Sequence, residues 1–274
     1  MKILLTGSSG YLGRHILYNL TQKKNNMDII CIIHSFKIYK ELSYLYKNLK
    51  IYYGSIEDEK FVKTIFDENK IDCVIHCAAI KYIDICEENM NECIKVNITG
   101  TYNLCHQAKK NNVKKLITVS TDKANNPTSF YGISKLACEK ITLKYDYSVY
   151  QGVNFWNSDG SFTRIWETAI KHNNTVILHN KKHIRYFSLP EETANEIITM
   201  MDNPESKIYY PKICYRIKIF DVFDYLRKKY ERVDFVISND NYDYVKEIET
   251  INKSCKIKLI GKNNLKKFME MLNY

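Results

Sequence analysis

A tyrosine and a lysine four residues apart lie at the start of a helical pattern near the middle of the chain. Tyr131 and Lys135 have Tyr-x-x-x-Lys spacing, which places both side chains on one face of a helix. An ammonium group beside a phenol, together with the positive ring of an oxidising cofactor, lowers the phenol pKa. The tyrosinate can then accept a proton from a substrate hydroxyl, so the spacing indicates oxidation of an alcohol.

Three residues with polar side chains end the strand that precedes this helix. Thr121 stands at the strand end, where its hydroxyl can hydrogen-bond the same substrate hydroxyl. Asp122 and Lys123 follow directly. They are either a surface ion pair at the strand end or catalytic groups of the site. Their place between the strand and Tyr131 favours the second interpretation.

A glycine-rich turn follows the first predicted strand and leads directly into a helical pattern. In this turn Gly7 permits a tight bend, Gly10 lets backbone amides approach a pyrophosphate, and Gly13 lets the helix pack closely on the strand. The helix N-terminus adds positive potential. This context predicts a dinucleotide-binding turn. Its expected cofactor contacts are Gly7, Ser9, Gly10, Tyr11, Leu12 and Gly13.

The end of the second predicted strand distinguishes between the two nicotinamide cofactors. An acidic residue at this point bonds the ribose 2′-hydroxyl of NAD and would repel a 2′-phosphate. Here the strand runs into His34-Ser35-Phe36-Lys37, which contains no carboxylate. The sequence therefore favours NADP, bound through Ser35 and Lys37, over NAD. A solvated lysine at the start of a helix is the alternative reading of Lys37.

Apolar runs and helical patterns alternate along the first half of the chain, which is typical of a parallel sheet with helices on both faces. Strands are predicted at 2–6, 28–33, 49–53, 71–76 and 114–119. Helices are predicted near 11–24, 37–48, 58–68, 87–111 and 129–145. The fold class is α/β, a Rossmann-type doubly wound parallel sheet.

The pattern becomes irregular after about residue 147. Strands are predicted at 175–178, 184–187 and 206–213, and helices near 161–171, 190–202, 218–229 and 263–273. We therefore expect two domains. Residues 1–146 form an NADP-binding Rossmann domain with the catalytic residues, and residues 147–274 complete the sheet and form a small C-terminal substrate-binding cap.

Composition excludes several classes of protein. The 274 residues carry a net charge of +10, but the lysines are scattered and accompany many Asn, Ile and Tyr residues, so A/T-rich codon usage explains them and nucleic acid is not an expected partner. The nine cysteines are an odd number without a C-x-x-C pair, which favours buried thiols and no metal site. No apolar run approaches the roughly 18 residues of a membrane helix, so we expect a cytoplasmic protein with no membrane partner.

The arrangement TGSSGYLG…STDKA…YGISK resembles the extended short-chain dehydrogenases. Residues 71–140 are most similar to the UDP-N-acetylglucosamine 4,6-dehydratases that invert C5, which begin pathways to pseudaminic acid and related deoxy-amino sugars. The Thr-Asp-Lys at 121–123 carries this likeness, because the glucose 4,6-dehydratases have Thr-Asp-Glu there. Supporting matches are residues 76–82, Glu87, Asn89 and residues 92–100.

The resemblance implies further site residues. Cofactor contacts are expected from Ala78, Ala79, Lys81, Asn97, Tyr131 and Lys135, and substrate contacts from Lys81, Asn154 and Arg185. Two of these have ordinary alternatives. Lys81 can be a solvated lysine, and Asn97 can be a helix-interior amide with a structural partner. Arg185 is the expected diphosphate contact, with a structural salt bridge as its alternative.

The resemblance also implies a reaction. Tyr131 would take the proton of the sugar C4 hydroxyl while the nicotinamide takes the C4 hydride, which makes the C5 proton acidic. Neutral Lys123 would remove that C5 proton, and protonated Asp122 would donate to the departing C6 hydroxyl. The hydride then returns to C6, and C5 is reprotonated from the opposite face. The cofactor is regenerated in each turnover.

The chain departs from the family pattern in its second half. Asn154, Ser158, Gly160 and Ser161 fit the dehydratase segment, but Asp159 stands where an arginine would face the nucleotide. Residues 239–244 occupy the place of a missing C-terminal motif, and Ser55 replaces an aspartate expected near the adenine ring. A changed sugar nucleotide or weakened activity would follow from these differences.

Three functions are therefore weighed. The first is a 4,6-dehydratase acting on a UDP-N-acetylhexosamine, in particular UDP-N-acetylglucosamine, in deoxy-amino-sugar or glycan biosynthesis. The second is a UDP-hexose 4-epimerase or 4-reductase, which would use Tyr131 and Lys135 but not Asp122 and Lys123. The third is a non-catalytic module that binds NADP or a nucleotide sugar. The presence of all four residues favours an enzyme, and a homo-oligomer is expected.

Overall fold

The computed structural model describes residues 1–22, 27–202, 205–238 and 255–272. The chain divides into two compact units. The first comprises Met1–Gly152 and Pro190–Tyr210, and the second comprises Val153–Leu189 and Pro211–Tyr274. The first unit carries the glycine-rich turn and the Tyr131 helix.

Thirteen strands and eleven α-helices occur among the described residues. The strands are β1 Lys2–Thr6, β2 Asp28–Ile33, β3 Lys50–Tyr53, β4 Cys73–His76, β5 Lys115–Thr121, β6 Ser148–Gly152, β7 Asn154–Phe155, β8 Val176–Leu178, β9 Ile184–Ser188, β10 Ile208–Tyr209, β11 Ile213–Lys218, β12 Phe235–Ile237 and β13 Lys256–Ile260. The helices are α1 Tyr11–Gln22, α2 Phe36–Leu45, α3 Glu59–Glu68, α4 Ile83–Glu88, α5 Met90–Cys93, α6 Gly100–Lys110, α7 Phe130–Lys144, α8 Phe162–Lys171, α9 Pro190–Met200, α10 Ile219–Lys229 and α11 Lys262–Met271.

Seven strands of the first unit form one parallel sheet in the order β10-β6-β5-β4-β1-β2-β3. The central strands are covered on both faces, which explains their nearly unbroken apolar sequences; Leu4, Val74 and Ile117 are almost completely buried. The strand order reverses between β1 and β4. In doubly wound sheets ligands bind at this crevice, outside the carboxyl ends of the strands. The predicted Rossmann-type fold is confirmed.

One predicted helix is interrupted. The pattern at 87–111 indicated a single helix, but the chain forms α4, α5, a π-helical segment Ile94–Thr99, and then α6. The backbone of Asn89 leaves the helical region between α4 and α5. Apolar spacing survives such interruptions, so the periodicity does not reveal them. Short π-helical turns often occur at functional sites.

The sheet gains strands that the sequence pattern did not mark. Strand β6 is short and contains a buried glutamine, Gln151, so it lacks a clear apolar run. The strand predicted at 206–213 is in fact β10 and β11, which belong to different units. The ends of the helices predicted at 11–24 and 263–273 lie outside the described residues, as does the 239–244 segment.

The second unit has its own sheet and its own core. Strands β13-β11-β9-β7 form a four-stranded sheet, and β12 pairs with β8. Aromatic side chains dominate the core; the ring centroids of Trp156 and Phe187 are 5.1 Å apart, and those of Trp156 and Phe268 are 5.5 Å apart. Edge-to-face pairs of this kind stabilise a core beyond the area they bury.

All nine cysteines are thiols, and eight of them are buried; the Sγ atoms of Cys255 and Cys214 are 2.8 Å apart. Across the described ranges, none of the helices combines the length and the apolar character needed to cross a membrane.

Candidate active site

The glycine-rich turn has a shape that only glycine permits at two positions. Gly7 has a φ of +70°, and a Cβ there would lie 2.6 Å from the backbone nitrogen of Ala78. A Cβ on Gly13 would lie 2.0 Å from the carbonyl oxygen of Gly7. By contrast, Gly10 is exposed, and its amide donates to the Gly7 carbonyl over 2.9 Å. The turn therefore leaves an open face at the N-terminus of α1 that fits a pyrophosphate.

The other predicted residues of this region differ in how they can contribute. Leu12 is buried, so only its backbone is available to a ligand. Ser35 is half-buried at the N-cap position of α2, and its side chain makes no capping hydrogen bond. Lys37 is exposed in the first turn of α2. These positions match a site at the end of β2.

Asn97 closes the loop that follows β4. Its Oδ1 accepts from the Ile80 amide over 2.8 Å, and its Nδ2 donates to the Ile80 carbonyl over 3.0 Å and to Ser134 Oγ over 3.0 Å. Asn97 thus ties the loop that carries Ala78 and Ala79 to helix α7. This is the structural partner that the alternative interpretation expected. A cofactor contact by Asn97 stays a prediction, as does one by Lys81, which is exposed.

A buried histidine that the sequence analysis did not single out lies beneath the turn. His76 ends β4; its Nδ1 is 2.7 Å from Thr6 Oγ1, and its Nε2 is 2.9 Å from Thr101 Oγ1. Burial, together with a smaller contribution from the charge of Lys135, lowers the pKa of His76 to about 3. The imidazole is therefore neutral and connects β1, β4 and α6. The sequence signals were a polar residue at the end of an apolar strand and the place of His76 in the matching segment 76–82.

Thr121, Asp122 and Lys123 form a connected group at the end of β5. Thr121 Oγ1 donates to Asp122 Oδ1 over 2.8 Å, and Lys123 Nζ lies 3.4 Å from the same oxygen. The side chains of Asp122 and Lys123 are only 7% and 16% exposed, so this is not a solvated surface pair. A Cβ on Gly132 would lie 2.7 Å from the Lys123 carbonyl, so the first turn of α7 packs directly on the pair.

Tyr131 is buried at the start of α7, and its environment acts on the phenol in opposing ways. Burial raises the pKa of Tyr131 well above its usual value, Lys123 opposes this rise, and Asp122 adds to it. The chain alone, without the positive cofactor ring, therefore keeps the phenol protonated. Lys123 contributes the lysine charge that favours the tyrosinate here.

Lys135 is also buried, and its ammonium has a partner in the sheet. Its Nζ donates to the carbonyl of Val119 in β5 over 2.7 Å. One turn further along α7, Glu139 Oε1 accepts from Gln151 Nε2 of β6 over 2.8 Å. These two bonds fix α7 against β5 and β6, and neither follows from the sequence pattern.

Two side chains cap the N-terminus of α7. Ser129 Oγ accepts from the amide of Gly132 over 3.1 Å, and Glu87 Oε1 accepts from the amide of Phe130 over 2.6 Å. Such caps satisfy helix amides that have no partner within the helix. They therefore hold Tyr131 at a defined place. Serine two residues before Tyr131 was the signal that could have revealed the first cap.

The predicted substrate residues Asn154 and Arg185 lie in the second unit. Asn154 pairs with Phe187 across β7 and β9, and its Nδ2 donates to the Tyr186 carbonyl over 3.0 Å. Arg185 lies on β9 opposite Ile217 and is half-buried. A substrate contact by either residue stays a prediction.

The segment around Asp159 is a turn that leads into α8. Gly160 has a φ of +75°, and Ser161 Oγ accepts from the amide of Arg164 over 3.4 Å at the start of the helix. Asp159 itself is exposed. Gly160 and Ser161 therefore have local structural reasons for their identities.

The family of the chain follows from sequence comparison. Residues 3–273 match the model of the polysaccharide biosynthesis protein family, so the chain belongs to that family. It is 29% identical to an inverting UDP-N-acetylglucosamine 4,6-dehydratase of Campylobacter jejuni over 77% of this chain and 66% of that protein. It is 28% identical to an uncharacterized membrane protein of Methanocaldococcus jannaschii over 98% of this chain and 79% of that one.

Solved structures show the same fold at low identity. The protein Pen of Bacillus thuringiensis superposes with a TM-score of 0.86 at 21% identity, covering 99% of this chain and 97% of that one. A dTDP-glucose 4,6-dehydratase of Streptomyces venezuelae, solved with NAD bound, superposes with a TM-score of 0.77 at 16% identity, covering 97% of this chain and 90% of that one. The predicted resemblance to nucleotide-sugar dehydratases within the extended short-chain dehydrogenases is confirmed.

Proposed function

We propose that the protein is a nucleotide-sugar 4,6-dehydratase that converts a UDP-N-acetylhexosamine, in particular UDP-N-acetylglucosamine, to its 4-keto-6-deoxy product with inversion at C5. The observation that carries this proposal is the buried Asp122–Lys123 pair, which packs against the first turn of the Tyr131 helix. An epimerase or a 4-reductase needs a phenol base but no second acid and base. The similarity to the Campylobacter dehydratase supports the same function.

Tyr131 is the proposed base for the C4 hydroxyl, and Thr121 is its proposed hydrogen-bonding neighbour. A nicotinamide dinucleotide held at the glycine-rich turn would supply the hydride acceptor for oxidation at C4 and the hydride donor for reduction at C6. Because the chain alone raises the pKa of Tyr131, proton transfer depends on positive charge near the phenol. Lys123 supplies part of that charge, and Lys135 is held close to β5 by its bond to Val119.

Asp122 and Lys123 suit the elimination because one proton can pass from the lysine to the aspartate. The proposed reaction requires a neutral lysine to remove the C5 proton and a protonated aspartate to release the C6 hydroxyl. Transfer of one proton from Lys123 Nζ to Asp122, across the observed 3.4 Å, produces both forms at once.

The proposed cofactor is NADP, because β2 ends without a carboxylate and Ser35 and Lys37 follow it. We expect the purified protein to bind NADP more tightly than NAD. Titration of each dinucleotide by isothermal calorimetry measures the two dissociation constants. Equal or stronger binding of NAD would contradict the assignment of Ser35 and Lys37.

The function is tested by incubating the protein and NADP with UDP-N-acetylglucosamine in deuterated water. We expect a product with the mass of the substrate minus one water, raised by the deuterium incorporated at C5, and proton NMR should show loss of the C5 proton signal. A product of unchanged mass with an altered C4 signal would instead identify a 4-epimerase. No product, with cofactor binding intact, would identify a binding module. A cytoplasmic homo-oligomer is the proposed state of the enzyme.

A further inference from the structure

Arg14 bridges the glycine-rich turn and the helix that follows β2. It comes directly after Gly13, and its Nε donates to the Ser9 carbonyl over 3.0 Å. Its Nη1 lies 3.5 Å from Glu41 Oε1 in α2. The guanidinium therefore lies between the glycine-rich turn and α2, the helix that follows β2.

The contact with Glu41 is one that a phosphate can replace. The Arg14 and Glu41 side chains are 48% and 39% exposed, and one N–O approach of 3.5 Å at such exposure contributes little. A phosphate dianion offers the guanidinium two parallel charge-assisted hydrogen bonds, which are shorter and stronger. In doubly wound folds an arginine near the end of the second strand accommodates the 2′-phosphate of NADP.

We infer that Arg14 is the specificity-determining residue for the 2′-phosphate of NADP, and that Glu41 is the carboxylate that this phosphate displaces. The inference rests on the proposed function in that the chain binds NADP. By this inference the residue that contributes most to the choice of NADP over NAD lies in α1. Ser35 and Lys37 lie at the start of α2 and make a smaller contribution to the same choice. The Nε bond to Ser9 holds the guanidinium plane in place while its outer nitrogens exchange partners.

The test is calorimetric titration of NADP and NAD into the wild-type protein and three variants. Arg14→Gln should weaken NADP binding by about 10- to 100-fold, the usual effect of losing hydrogen bonds to a charged group, while changing NAD binding by less than about threefold. Arg14→Lys keeps the positive charge but cannot form two parallel hydrogen bonds to the phosphate, so its loss of NADP affinity should be intermediate. Glu41→Gln removes the competing carboxylate and should tighten NADP binding without affecting NAD.

Arg164→Gln is the matched control, because Arg164 forms a similarly exposed pair with Glu167 on α8. It should leave both dissociation constants unchanged. Equal weakening of both dinucleotides by Arg14→Gln would show that Arg14 only supports the turn through Ser9, and would overturn the inference. If Arg14→Gln does not fold, the opposite shifts expected from Arg14→Lys and Glu41→Gln decide the question.

The outcomes separate this inference from the proposed function. A protein that shows these shifts but forms no dehydrated sugar would retain the Arg14 assignment and lose the dehydratase. If the wild-type protein dehydrates the sugar but Arg14→Gln leaves the ratio of the NADP and NAD dissociation constants unchanged, the dehydratase is retained and the Arg14 assignment is lost. Binding of neither dinucleotide by the wild-type protein would overturn both.

Discussion

Replacing Lys123 by alanine should stop the elimination while leaving oxidation at C4 possible. The bound cofactor should still become reduced on mixing with substrate, but water loss and C5 deuterium exchange should fall by about two to four orders of magnitude, the usual contribution of a general base. Rapid mixing with absorbance detection at the reduced nicotinamide band follows the first step. Mass and NMR analysis follow the second.

The structure adds a pH signature to this experiment. Lys123 lowers the pKa of Tyr131 and Asp122 raises it, so removing the lysine should move the pH profile of C4 oxidation upward. Asp122→Asn should move that profile downward and should stall elimination while C5 exchange persists, because an amide cannot donate a full proton. Lys140→Ala, an exposed position on α7, is the control and should change neither step. Normal water loss in the Lys123→Ala protein would disprove the proposed mechanism.

Tyr131→Phe should abolish C4 oxidation with little change in dinucleotide affinity. The substitution removes only the phenolic oxygen, whereas the glycine-rich turn belongs to α1 and β1 and is not altered. The loss should reach at least about two to four orders of magnitude, and no step after oxidation should be detected. Single-turnover reduction of the bound cofactor measures this directly.

Tyr18→Phe provides a matched control for that variant, because Tyr18 is 56% exposed on α1. It should reduce the cofactor at the wild-type rate. Cofactor reduction at a near-normal rate in Tyr131→Phe would mean that another group is the base. Loss of dinucleotide binding in the same variant would mean that Tyr131 has a structural role in the cofactor site.

Local patterns were sufficient for much of the fold and for the choice of site residues. Five parallel strands were recognisable because buried strands need continuous apolar sequence. The turn was recognisable from Gly7 and Gly13, because it has no room for a Cβ at either position. The spacing of Tyr131 and Lys135 required only a helix, and α7 supplies it. Strand β6 was not predicted because it contains a buried glutamine, whose amide donates to Glu139, a residue outside the strand.

What each side chain does within the fold depended on contacts between distant parts of the chain. His76 is neutral because β1, β4 and α6 enclose it, and Asn97 closes a loop 17 residues earlier in the chain. The charge of Lys123 opposes the rise that burial causes in the pKa of Tyr131, because the turn after β5 packs against α7. Residue types and spacing are properties of a short segment and can be read directly. Burial, charge state and hydrogen-bond partners arise only when segments far apart in sequence pack together, so they could be learned only from the folded chain.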